Sequence, residues 1–310
     1  MKKLLTLLLL IAGLGSVAQQ DALYSQYMFN MMVINPAYSG SRDVLSTTLV
    51  NRYQWVGFEG APRTLSLSAN TPLRNENIAL GLYFYNNSLG PMRDWGIVTN
   101  YAYRLMLGES NVLSFGVDVG IRKLIIDWDQ ITARDEDDES IIDQPESQLK
   151  PDANFGIYFY GPQFYVGVSS KHLFENSLDA EDVNGSYTIT TLARHFYFVG
   201  GYAYPVSQNF VLKPSTLVKY TINAPIQVDV NVSGLISNVL WLGISYRTKR
   251  NALVFLTEVN IGKNFRLGYS YDTYISQFSG QSQGSHEVML NYEFDIYQLR
   301  MMRDVDVRYF

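Results

Sequence analysis

Apolar and polar residues alternate one by one along much of the chain after residue 43. In residues 226–234, Ile226, Val228, Val230 and Val232 are interleaved with Gln227, Asp229, Asn231 and Ser233. Residues 64–70 set Leu65, Leu67 and Ala69 against Thr64, Ser66, Ser68 and Asn70. Residues 286–294 set Val288, Leu290, Tyr292 and Phe294 against Glu287, Met289, Asn291 and Glu293. A period of two describes a strand with one apolar and one polar face. Segments of this kind fall near 44–53, 64–70, 78–86, 95–107, 111–127, 152–160, 164–170, 190–204, 210–220, 226–235, 240–246, 251–260, 264–271 and 286–294. That is about fourteen strands. No segment carries a convincing 3.6-residue period, so the chain reads as all-β.

The connections have a rhythm of their own. TPLRNEN after the second strand, GES at 108, GPQ at 161, PVSQN at 205, ISNV at 236 and GKN near 262 are short and turn-like. The alternate connections include every long one: 54–63, 87–94, 128–151, 171–189 and 272–285. In an up-and-down barrel all connections of one parity lie at one rim. Bacterial outer-membrane barrels have short periplasmic turns and long extracellular loops. The expectation is therefore a transmembrane antiparallel up-and-down β-barrel of about fourteen strands. Its long loops would be extracellular and both termini periplasmic. Valines 228–232 would then face lipid, while Asp229, Asn231 and Glu287 face the lumen. A cationic residue at the lipid midplane costs about 2–4 kcal/mol and an acid less, so these carboxylates belong inside. A secreted β-sandwich or propeller is the competing architecture, and no internal repeat supports a propeller.

Composition agrees with an exported membrane barrel. The first 20 residues, MKKLLTLLLLIAGLGSVAQQ, hold a basic start, an apolar run and a small-x-small site. Residues 1–18 read as a cleaved signal peptide. The chain has 23 Tyr and 16 Phe but only 17% charged residues, where soluble domains average about 25%. Without Lys2 and Lys3 there remain 22 basic against 29 acidic residues, a net charge of −7. That balance disfavours nucleic acid, which requires clustered Lys and Arg.

Little in the sequence points to catalysis. There is no Cys, no G-x-S-x-G, and His172, His195 and His286 occur in no metal-binding spacing. No cofactor or metal is expected, and the chain is not read as an enzyme. The run ARDEDDES at 133–140 is acidic enough for calcium but lacks EF-hand spacing, so it reads as a solvated loop. Arg52, Arg104, Arg122 and Lys123 fall in strands; lumen salt bridges are preferred for them over a selectivity ring.

The ends are more distinctive. Residues 19–43 are aromatic, apolar and without period, and Pro36 after Asn35 bars a continuous helix. Such a segment should pack in the barrel or on a partner. The barrel proper is expected over 44–295 and a periplasmic tail over 296–310.

These ends carry a family resemblance. QQDALYSQYMFN at 19–30, INPAYSGSRD at 34–43, RYQWVGFEGAPRTLSLSANTPL at 52–73, GSHEVMLNYEF at 284–294 and the closing RYF resemble the PorP/SprF family. Those are outer-membrane proteins of the type IX secretion system in Bacteroidetes. Residues 128–190 carry none of the likeness, and Met31-Met32 and the acidic loop depart from it. The resemblance implies a barrel that docks or retains an adhesin-type cargo through its C-terminal sorting domain. It also implies contact with other type IX components, periplasmic or lipoprotein. Trp55, Phe58, His172, Phe174, Tyr274 and Phe278 are the candidate partner contacts in the long loops. Tyr27, Phe29, Asn35, Pro36 and Tyr38 are those in the N-terminal segment. A passive porin or hydrophobic-solute channel is the alternative.

Overall fold

The computed structural model describes residues 21–127, 146–182, 185–222, 224–249, 251–275 and 282–297. The expected signal peptide 1–18, the acidic run 133–140, Phe278 and the residues beyond 297 lie outside these residues.

The described residues form seventeen strands in chain order. They are β1 Leu45–Tyr53, β2 Arg63–Pro72, β3 Ile78–Leu89, β4 Met92–Leu107, β5 Asn111–Ile126, β6 Glu146–Tyr160, β7 Phe164–Lys171, β8 Ser177–Asp182, β9 Gly185–Thr191, β10 His195–Tyr202, β11 Tyr204–Ser207, β12 Phe210–Thr221, β13 Gln227–Ile236, β14 Leu240–Arg247, β15 Ala252–Ile261, β16 Phe265–Tyr274 and β17 Ser285–Phe294. Strands β1 to β7 are consecutive neighbours, followed by β10 and then β12 to β17. The ring closes where β1 pairs with β17, placing Arg52 opposite Glu287 and Val50 opposite Met289. All these pairings are antiparallel. β10 and β11 both pair with β12, so they form one barrel strand, interrupted at Ala203. The barrel thus has fourteen strands and no open edge, as backbone in lipid requires.

The alternation is realised as an inside and an outside. Along β13 Asp229, Asn231 and Ser233 are buried, whereas Val230 and Val232 are exposed at 49% and 42% on the outer wall. Along β17 Glu287 and Glu293 are buried, whereas Val288, Leu290, Tyr292 and Phe294 are exposed. Outward aromatics gather near both strand ends. Tyr53, Phe196, Tyr220 and Tyr246 lie toward one rim, and Tyr103, Tyr204, Phe265 and Phe294 toward the other. Aromatic girdles of this kind sit at the two membrane–water interfaces.

Three details differ from the sequence expectation. Residues 87–94 are not a long loop, because β3 and β4 pair as far as Leu89 and Met92 and leave a two-residue turn. β6 begins at Glu146, which shortens the expected loop 128–151. The 171–189 connection carries its own hairpin, β8–β9, off the barrel. At 16 residues each, β4 and β5 exceed the roughly 9–11 that a tilted strand needs to cross a bilayer. Strands β3 to β6 therefore form a raised wall on the long-connection side.

Candidate functional site

The lumen is filled by the N-terminal segment. Residues 23–44 are buried without a break. They fold as three single 3-10 turns, Tyr27–Phe29, Met31–Val33 and Pro36–Tyr38. Asn35 precedes Pro36 in extended geometry, and its side chain accepts from the Ala37 amide at 2.9 Å. Proline at the first position of a turn behind an Asn cap is a favourable start.

The same Asn35 anchors the segment to the wall. Its carboxamide donates to the Ile157 carbonyl at 3.0 Å and to that of the cross-strand partner Val168 at 3.2 Å. It fits there because Gly156 and Gly167 carry no side chain; a Cβ on Gly156 would occupy the space of Asn35 Oδ1. Gly116 receives the Pro36–Ala37 backbone in the same way. Around it, Asn100 Nδ2 donates to the Pro36 carbonyl at 3.0 Å and Ser169 Oγ to the Ile34 carbonyl at 2.7 Å. The side chains of this plug pack on aromatic wall residues. Phe29 meets Trp241 edge-on, Tyr38 meets Tyr158, and the Lys213 ammonium stands over Phe29 at 6.0 Å. Met28, Met31 and Met32 fill the remaining irregular space.

A charged belt holds the plug where the barrel closes. Arg52 contacts Asp272 at 2.6 Å and Glu287 at 3.2 Å; Arg247 contacts Asp229 at 3.0 Å and Asp272 at 3.2 Å. Into this belt the plug donates the amides of Ser25 and Gln26, both to Glu287, at 2.9 and 2.8 Å. Ser25 Oγ donates to Asp272 at 2.7 Å and accepts from Arg52 at 2.8 Å. At the short-turn end, Arg42 pairs with Glu293, and Arg104 with Asp43 at 2.6 Å. Arg122 pairs with Asp94 at 2.6 Å in the raised wall. Removing one partner from a buried pair costs about 3–5 kcal/mol, so the belt fixes the plug in one place.

The plug rises from the start of β1 through the lumen, and Asp21 lies by the long-connection end of β7. There Asp21 meets His172 Nε2 at 2.6 Å, Lys171 Nζ at 3.1 Å and the Tyr197 hydroxyl at 2.7 Å. His172 Nδ1 meets Asp152 at 2.5 Å. Burial opposes charge on Asp21, but Lys171 and His172 outweigh it and hold its carboxyl well below the ordinary range. Burial likewise disfavours a charged His172, yet Asp21 and Asp152 raise its pKa above the usual value.

The candidate contact residues therefore divide by position. Tyr27, Phe29, Asn35, Pro36 and Tyr38 are buried against the inner wall, and Tyr274 is turned inward with its hydroxyl on Ser285 Oγ at 2.9 Å. Phe58 and Phe174 are exposed at the long-connection rim, at 42% and 57%. Trp55 sits beside Phe58 at φ 52°, its amide on Ser285 Oγ at 3.1 Å. The rim loops are tied together. Val56 exchanges backbone hydrogen bonds with Gly284 and Gln283, both at 2.8 Å, and Gly60 accepts from Gly90 at 2.8 Å. Sequence reasoning passed over His195 and Asp21, which the fold brings to His172 from 23 and 151 residues away. No local spacing signals that meeting.

A closed antiparallel barrel with an apolar, aromatic-girdled exterior and a polar interior is an integral outer-membrane protein. Solved structures of the same fold include the Ralstonia pickettii toluene transporter TbuX, with a TM-score of 0.54 and 10% identity over 90% of this chain and 96% of that one. The CymD monoaromatic hydrocarbon channel gives a TM-score of 0.51 and 11% identity over 91% of this chain and 96% of that one. At such identities the likeness is one of fold. No curated protein matches the chain. The family model for the type IX secretion system membrane protein PorP/SprF matches residues 16–292. The chain belongs to the PorP/SprF family.

Proposed function

We propose that this protein docks a type IX cargo at the outer face of the membrane and retains it by the cargo's C-terminal sorting domain. The long-connection rim is the docking surface. The observation that carries this reading is the rim itself. Three of its connections are hydrogen-bonded to one another, Phe58 is exposed in one of them and Phe174 in a fourth, and the rim stands over a lumen filled by the protein's own chain. Loops set on a rigid scaffold are the usual carriers of specific recognition. With the lumen filled, recognition rather than conduction is the work left to the barrel, and the role is non-enzymatic. The long connections face the exterior in this reading, and the short-turn rim faces periplasmic or lipoprotein components of the secretion machine.

Replacing residues 177–191, the β8–β9 hairpin, with a short Gly-Ser linker tests it in cells. Cargo should pass to the medium while the barrel still reaches the outer membrane. Cargo retained at the wild-type level would overturn the assignment. A passive channel is the second reading, supported by the hydrocarbon channels that share the fold. Planar-bilayer recordings separate the two, since a docking barrel with a seated plug stays closed.

A further inference from the structure

We propose that Asp21, His172 and His195 form a binding site for one divalent transition-metal ion of the zinc class, fastening the far end of the plug to the wall. A carboxylate oxygen and one ring nitrogen from each histidine lie within 4.8 Å of one another. Ligand atoms about 2.0–2.1 Å from a tetrahedral zinc stand roughly 3.4 Å apart, so closure around an ion requires a shift of about 1 Å.

The independent observation is His195. The residue is 3% exposed, its Nδ1 faces the Ala193 carbonyl at 2.8 Å, and its Nε2 is buried with no hydrogen-bond partner among the described residues. The carbonyl fixes the proton on Nδ1 and leaves a lone pair on Nε2. His172 has Asp152 on its Nδ1 and its Nε2 directed at Asp21, so an ion would take the place of the proton that His172 Nε2 and Asp21 now share. Metal-binding histidines are oriented in this manner, the second nitrogen donating to a carboxylate or a backbone carbonyl. Backbone pairing sets His195 opposite Lys171, next to His172, and the two rings meet edge-on at 5.7 Å. The other Asp21 oxygen is steadied by Tyr197 and Lys171. Two imidazoles and one carboxylate suit zinc and its neighbours, whereas calcium and magnesium take oxygen ligands. A cavity of about 40 Å³ lined by Asp21 and His172, but not by His195, has room for a water beside those two ligands. The ion would link the plug, the end of β7 and the start of β10.

The test uses the full mature chain in detergent, without a histidine tag and stripped by a chelator. Zn²⁺ is titrated by calorimetry and Co²⁺ by its visible absorption. One ion per chain is expected. His195→Ala should weaken binding at least about tenfold. His286→Ala, which alters a histidine bonded to Tyr269 on the outer wall, should leave it unchanged. Heat-sensitive gel mobility reports whether each variant has folded. Should His195→Ala not fold, X-ray absorption of the wild-type Zn²⁺ complex decides, with two imidazoles expected in the coordination shell. Absence of stoichiometric binding, equal affinity in folded His195→Ala, or a shell without imidazole would overturn the site.

Discussion

Arg52 on β1 and Asp272 on β16 touch at 2.6 Å across the intervening strand β17, beneath the plug residue Ser25. Both side chains are almost wholly buried. Arg52→Met leaves Asp272 and Glu287 short of a cation and removes the donor to Ser25. The barrel is expected to lose about 3–5 kcal/mol. The midpoint of heat-induced gel-mobility change in detergent measures this; a midpoint equal to wild type would argue against the belt as a fastening.

Plug seating depends on the fit of Asn35 against Gly156. Gly156→Val drives a side chain into the Asn35 carboxamide. Asn35→Ala removes the Ala37 cap, worth about 1 kcal/mol, together with the two wall contacts. Wild-type protein should be silent in a planar bilayer. Both variants should open, Gly156→Val more often. Equal conductance in all three would separate the plug from closure.

The outer wall makes a depth-dependent prediction. Val232 lies near the middle of β13 and faces outward. Val232→Arg places a cation at the lipid midplane and should cost about 2–4 kcal/mol. Val259→Arg on β15, two residues from the strand end, should cost less. Denaturant titration of protein folded into lipid vesicles compares them, and equal losses would contradict the membrane frame.

Cargo retention should be sensitive to the exposed rim aromatics. Phe58→Asp combined with Phe174→Asp removes two apolar contacts without entering a strand. The barrel should assemble normally and cell-attached cargo should fall several-fold, as for loss of interface anchors. Immunoblots of cells and medium give the ratio, and an unchanged ratio would remove these two residues from the docking surface.

Fourteen barrel strands could be read from the sequence because lipid outside and polar lumen inside impose a strict period of two. The reading failed where that constraint ends. Asn87 and Ser88 look like a loop, yet their backbone pairs with Asp94 and Arg93 in the raised wall. Above the bilayer, a strand needs no apolar face. The β8–β9 hairpin escaped notice for a different reason: Leu178 and Ala180 alternate only briefly among acidic residues, a run that reads as a solvated connection. The plug was legible as apolar and non-helical, but its partners were not. The wall glycines that receive Asn35, and the Asp21–His172–His195 meeting, depend on strand register and on the path of the plug through the lumen.

The Ser25 and Gln26 amides reach Glu287 on β17, so a segment made before the first barrel strand grips the last one. That strand must find β1 before the ring is complete. A chain already lying along the inside can hold the two seam strands in register while the final hydrogen bonds form. The segment that fills the finished barrel is thus also a mandrel around which its wall can be drawn shut.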